Sequence, residues 1–249
     1  MANDPMEQFQ IKEKAELFEI AGQSISWTNS SFWMVIAAVL IVGFFALTTK
    51  RKLIPGKMQS LGELSYEFIA NMVKDTTGAE AMKFMPFVFT LFFFILAANL
   101  IGMNPYAFTT TSHLAVTAAM AVFTICVVIV AGIWKNGFKW FKIFAPSGLP
   151  PLMYIIIIPI EIISFISRPI TLAVRLFANM VAGHVMLKLF AIFAAYLAAK
   201  GGIFALGSIV PVLGTMAIVA LEFLIAGLQA FVFAILTCVY LNDVYHVDH

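Results

Sequence analysis

The chain has 249 residues, of which 62% are apolar and only 11% charged. An ordinary globular chain is about 45–50% apolar and about 25% charged, so this one is not disordered, not a nucleic-acid binder and not a typical soluble enzyme. The formal charge of +2 says little by itself; with a lipid bilayer as solvent, the placement of the few charges carries the information.

Residues 1–30 are polar, with Asp4, Glu7, Glu13, Glu16 and Glu19 against Lys12 and Lys14. No basic stretch leads directly into a short apolar core, so a cleaved signal peptide is not expected. Three uncharged apolar runs follow, at 32–49, 84–103 and 114–134. Each has the length of one span, which needs about 20 residues. Between the first two, residues 58–74 place Leu61, Leu64, Phe68 and Met72 at helical spacing, with Glu63, Glu67 and Asn71 opposite. Ser60 and Glu63 have the spacing of a capping box. The pattern predicts an amphipathic helix over 58–76, either lying on the membrane surface or serving as a soluble linker.

Two longer apolar stretches close the chain, 151–199 and 203–241. As helices they would reach roughly 74 and 58 Å, against a hydrocarbon core of roughly 30 Å. Each is either two spans or one strongly tilted helix, and periodicity does not choose between them. No internal repeat is visible, and one membrane domain accounts for the whole chain.

Nine of the 15 basic residues fall in two connections: Lys50, Arg51, Lys52, Lys57, Lys74 and Lys83, then Lys135, Lys139 and Lys142. Residues 104–113 have none. The positive-inside rule then puts both basic connections in the cytoplasm and the N-terminus outside. Trp27, Trp33, Trp134 and Trp140 bracket run ends, as interfacial tryptophans do.

The last two stretches carry the polar groups that the first three runs lack: Glu161, Arg168, Arg175, Asn179, His184 and Lys188, then Glu222 and Gln229. An ionisable group at membrane depth costs on the order of 2.5–3.5 kcal/mol, so several together mark a functional pathway. Glu161, Arg168 and Arg175 are seven residues apart, which returns within roughly 20° to one helix face, provided Pro169 does not break the helix. Ser208, Thr215, Glu222 and Gln229 form a second seven-residue series. Arg168 and Lys188 either belong to the pathway or snorkel to an interface. Asn179 and Gln229, taken singly, read as interhelical hydrogen-bond glue. His184 becomes a proton-relay candidate only with a partner such as Glu222. His113, His246 and His249 are expected to be solvated. Arg175 cannot carry protons by losing one. A fixed positive charge midway along a proton path blocks a hopping proton and attracts a carboxylate from a partner surface. Cys126 and Cys238 lie inside apolar runs and show no disulfide framework or metal spacing.

The segment TLAVRLFANMVAGHVML at 171–187 resembles subunit a of the F-type ATP synthase family. NLIGMNP at 99–105 is similar to the end of the family's second full span, and EIISFISRP at 161–169 to the segment before its essential arginine. Glu222 and Gln229 fall at the family's spacing on the last helix, and the likeness covers 33–243. The resemblance implies an all-α polytopic fold with five membrane-embedded helices and one amphipathic surface helix, the last two forming a long tilted hairpin against a rotating ring of c subunits. It implies a non-catalytic, proton-conducting stator subunit without cofactor or metal. Its partners would be the c-ring, b-type peripheral-stalk subunits and the lipid bilayer. The location would be a bacterial inner membrane, with a mitochondrial-type member an alternative and the C-terminus cytoplasmic.

By the same resemblance, Arg175 matches the arginine that faces the c-ring acid and separates two half-channels. Asn179 and Gln229 match its polar neighbours, His184 and Glu222 the outer half-channel, and Glu161 the cytoplasmic one. Many bacterial members have the acid and the histidine of the His184–Glu222 pair exchanged, and Ala178 stands where a glycine is common. Two other classes read less well. A self-contained secondary transporter would show a repeat, and a metalloenzyme would show clustered ligands such as HExxH.

Overall fold

The computed structural model describes residues 13–20, 23–49, 55–104, 107–144 and 150–245. Lys50, Arg51, Lys52, Pro105, His246, His249 and residues 1–12 lie outside that set. The described chain opens with strands β1 (Glu13–Ile20) and β2 (Gln23–Thr28), paired antiparallel, a small hairpin that the polar composition of this segment did not announce. Everything after it is helical: α1 (Asn29–Thr48), α2 (Lys57–Thr77), α3 (Met85–Gly102), α4 (Leu114–Asn136), α5 (Pro151–Lys200), α6 (Gly202–Gly207) and α7 (Ile209–Tyr245). Short 3-10 segments precede α3, precede α4 and follow α4. Five helical stretches are long and apolar enough to cross a membrane, so the chain is an all-α polytopic membrane protein.

The three short spans end within about three residues of the apolar runs that predict them, because in lipid the backbone must be satisfied internally and the helix extends as far as the apolar run does. The 151–199 stretch is one continuous helix, not two. Pro159 and Pro169 lie inside it, each deleting one backbone hydrogen bond, yet the helix runs through both. The Glu161–Arg168–Arg175 face is therefore preserved. The 203–241 stretch departs from expectation at one place. It divides into α6 and α7 at Ser208, whose hydroxyl and N–H both turn back to the Ala205 carbonyl. Pro211 supplies the reason, since it has no N–H to offer the carbonyl of Gly207 four residues earlier. Between α5 and α6 the chain reverses at Gly201 and Gly202, with φ of +68° and +58°, a region that strains any residue with a Cβ.

The capping box is not formed. α2 begins three residues before Ser60, with Gly56 as its N-cap, and the Ser60 N–H donates to the Gly56 carbonyl. Glu63 instead accepts from Gln59 Nε2 at 2.8 Å along the helix. Leu61, Leu64 and Phe68 are exposed while Ile69, Met72 and Val73 are buried, so α2 is two-faced with apolar groups on both sides.

The chain divides into two compact units. One comprises the described part of Met1–Leu40, Ile95–His113 and Leu176–Gln229. The other comprises Ile41–Phe94, Leu114–Arg175 and Ala230–His249, as far as described. In the second unit the end of α7 is fixed from several sides. Thr77 Oγ1 donates to the Cys238 carbonyl at 3.2 Å, and Asn136 Nδ2 donates to the Val244 carbonyl at 2.6 Å. Gly132 lies so close to Val244 and Trp140 that a Cβ there would overlap both, the close helix approach that small residues permit in membranes. Trp140 is accordingly buried against Phe144 and Phe165, not displayed at an interface as its position suggested. Trp134 is 88% exposed.

A polar site built on the two longest helices

In the first unit, α5 and α7 come close along part of their length. A Cβ on Gly214 would sit 2.6 Å from the Phe190 ring, and one on Gly183 would meet Glu222 Oε1. The Glu222 carboxylate thus rests on bare backbone beside His184. Its second oxygen, Oε2, is buried and has no hydrogen-bond partner among the described residues. A cavity of about 190 Å³ adjoins it, lined by Asn179, Gly183, Glu222 and apolar side chains that include Met103 and Ile218. This volume is large enough for several waters, each of which takes about 30 Å³ in the liquid.

His184 is 8% exposed, and its Nε2 lies 3.1 Å from Thr109 Oγ1. Thr109 in turn donates to the Gly102 carbonyl at 3.0 Å. The segment that presents Thr109 is held by its own bonds: Ser112 donates through both its hydroxyl and its N–H to the Thr109 carbonyl, and the His113 N–H donates to Thr110. His113 is half-buried and stacks on Phe108 with ring centroids 5.1 Å apart, so it is not the solvated loop residue that its place suggested. Asn99, on α3, is fully buried and neither of its amide atoms has a partner among the described residues.

Of the expected site residues, Asn179 and Glu222 line this cavity, His184 follows the cavity-lining Gly183 along α5, and Gln229 is buried at the end of its unit's share of α7. His184 is not hydrogen-bonded to Glu222; its bond runs to Thr109. Neither Thr109 nor Gly183 stands out in the sequence. A glycine directly before His184 permits a close approach without announcing one, and Thr109 sits in a run of three threonines, Thr109–Thr111, with nothing to distinguish it.

The expected residues of the second unit behave differently. Arg168 Nη1 donates to Asp243 Oδ2 at 2.9 Å, and its guanidinium lies over the rings of Tyr240 and Phe165 at 4.8 and 5.6 Å. Its side chain is only 16% exposed. It ties α5 to α7. Glu161 is half-exposed on α5. Arg175 is exposed and forms neither a hydrogen bond nor an ion pair with any described residue. No group of three or more metal-ligating side chains occurs among the described residues.

The fold and these groups define a polytopic helical membrane protein with ionisable side chains inside its long apolar helices, a feature typical of proteins that handle ions. Residues 31–242 match the family described as ATP synthase A chain. The chain is 55% identical over 249 residues to ATP synthase subunit a of Hyphomonas neptunium, covering 100% of this chain and 98% of that one. It is 51% identical over 247 residues to ATP synthase subunit a of Rhizobium leguminosarum bv. trifolii, covering 99% and 98%. It is also 51% identical over 250 residues to ATP synthase subunit a of a Chelativorans species, covering both chains fully. The chain belongs to the ATP synthase A chain family.

Proposed function

We propose that the protein is the proton-conducting stator subunit of an F-type ATP synthase and performs no catalysis itself. Protons enter from the outer side past Glu222 and His184 and load onto a carboxylate of the c-ring. They travel with the ring and leave past Glu161 to the cytoplasm. Arg175 keeps the two half-paths apart, and Asn179 and Gln229 are its polar neighbours. The long helices α5 and α7 lie tilted against the ring, α2 lies on the cytoplasmic surface, and b-type subunits hold the protein to the peripheral stalk. The N-terminus is outside a bacterial inner membrane and the C-terminus is inside.

The observation that carries this reading is the state of Arg175. A guanidinium is charged at every relevant pH, and a charge on a membrane helix is almost always paired or faces a water-filled cavity. Arg175 is exposed and has no ionic partner within the described chain, so its counter-charge comes from outside, as a carboxylate carried past by a neighbouring subunit would supply. Glu222 supports the same reading, because a buried carboxyl oxygen beside a water-sized cavity is placed to exchange protons.

Arg175→Ala is expected to abolish ATP synthesis and coupled proton pumping in the assembled complex. Normal ATP-driven pumping by that variant would sink the reading.

A further inference from the structure

Resting on that reading of His184, the geometry points to Thr109 as the residue that decides which nitrogen of His184 carries protons in and out. A threonine hydroxyl has one proton to give. That of Thr109 goes to the Gly102 carbonyl. Gly102 is the last residue of α3, so its carbonyl is one of the terminal acceptors that a helix leaves without a partner. Leaving it bare inside the protein would cost on the order of 1–3 kcal/mol, so the Thr109 proton is committed.

The consequence for His184 follows from counting donors. With its own proton spent, Thr109 Oγ1 can only accept in its 3.1 Å contact with His184 Nε2. His184 Nε2 therefore carries a hydrogen and donates it. The neutral ring is the Nε2–H tautomer, and Nδ1 is the atom that takes up and releases the translocated proton. The Nε2 proton stays in place throughout, so the ring need not turn over between cycles. This is the second-group control of tautomer that sets histidine chemistry elsewhere.

Two further observations show that the arrangement is built and not incidental. A Cβ on Gly102 would lie 2.7 Å from Thr109 Cγ2, so only glycine lets the threonine approach this carbonyl without a shift. The Thr109 backbone is pinned by the two Ser112 bonds described above. The charged group that acts on the ring is Lys188, one turn further along α5, and Glu222 from α7 packs on the neighbouring Gly183.

The test uses the intact ATP synthase in lipid with 15N-labelled histidine. The His184 signals are assigned as those lost in a His184→Gln complex. At a pH where the ring is neutral, solid-state NMR is expected to show a protonated Nε2 and a bare Nδ1. Thr109→Val should give a mixture of tautomers and slow proton-driven ATP synthesis by at least about tenfold, the low end of what removing a histidine's orienting partner costs. Thr109→Ser should restore both. A protonated Nδ1 with bare Nε2 in the wild-type complex would overturn the assignment, and so would an unchanged tautomer and rate in Thr109→Val. If Thr109→Val does not assemble, the wild-type and Thr109→Ser spectra decide alone. A His184→Gln complex that pumps normally would remove the conduction role of His184 while leaving the tautomer assignment standing, so the two failures are distinguishable.

Discussion

The two units of this protein differ in how their polar groups are partnered. In the unit that holds Arg168, the polar side chains that reach from one element to another find partners. Arg168 meets Asp243, Thr77 meets the Cys238 carbonyl, and Asn136 meets the Val244 carbonyl. In the unit that holds His184, Glu222 Oε2, Thr111 Oγ1 and both amide atoms of Asn99 are buried with no partner among the described residues. Buried polar groups in native proteins are overwhelmingly satisfied, so the orphaned ones are places where ordered water would supply the missing bonds. Arg175 and Glu161 are the exceptions in the first group, since they are neither paired nor buried.

That contrast can be broken or sharpened by substitution. Among the residues of this contrast, Glu222→Gln should have the largest effect, lowering proton-driven ATP synthesis by at least about 100-fold, in line with the loss of a general acid–base group. The assembled complex should melt within about a degree of wild type, because Oε2 has no protein partner to lose. A large drop in melting temperature would mean that Glu222 is structural and the contrast is wrong. Gly183→Ala should come next. Its methyl would overlap the Glu222 carboxylate, so conduction should fall clearly, with a cost of about 1–3 kcal/mol from overpacking. Thermal retention of the subunit in the complex and pumping rate, read together, check it.

Arg168→Ala should show the reverse signature, with assembly suffering first. Removing one member of a buried pair costs about 3–5 kcal/mol. Asp243 is 38% exposed, so the loss should fall at or below the low end of that range, and the Arg168→Met, Asp243→Leu double variant should recover much of it. If Arg168→Ala assembles normally but fails to pump, Arg168 belongs to the path. The smallest effect is expected from Lys135→Ala, which breaks the exposed pair with Glu80; such surface pairs contribute less than about 1 kcal/mol, so stability and activity should both stay near wild type.

The outline of the fold was legible because lipid enforces it. An uncharged apolar run must become a helix to satisfy its backbone, so span ends follow from composition. The candidate site residues Glu161, Arg175 and Glu222 are legible because each is a charge that breaks an apolar run, and of these Glu222 lines the cavity described above. What the sequence concealed is contact between distant segments. Thr109 meets His184 across 75 positions, and no local pattern encodes that. Trp140 has the flanks of an interfacial tryptophan but is drawn inward because Gly132 opens a space for it. Ser60 has capping-box spacing, but Gly56 starts the helix one turn earlier. Arg168, ambiguous in sequence, pairs with Asp243, which lies beyond the last apolar stretch.

The prolines of α5 have a mechanical consequence. A 50-residue helix with two deleted rungs is a rod with two compliant joints, at Pro159 and Pro169. Bending load on the rod collects at those joints. From Leu176 to Lys200 no proline interrupts the ladder, so the stretch bearing Asn179 and His184 lies beyond both joints. Glu161 sits between the joints, on the part of the helix where the lost backbone bonds make bending cheapest.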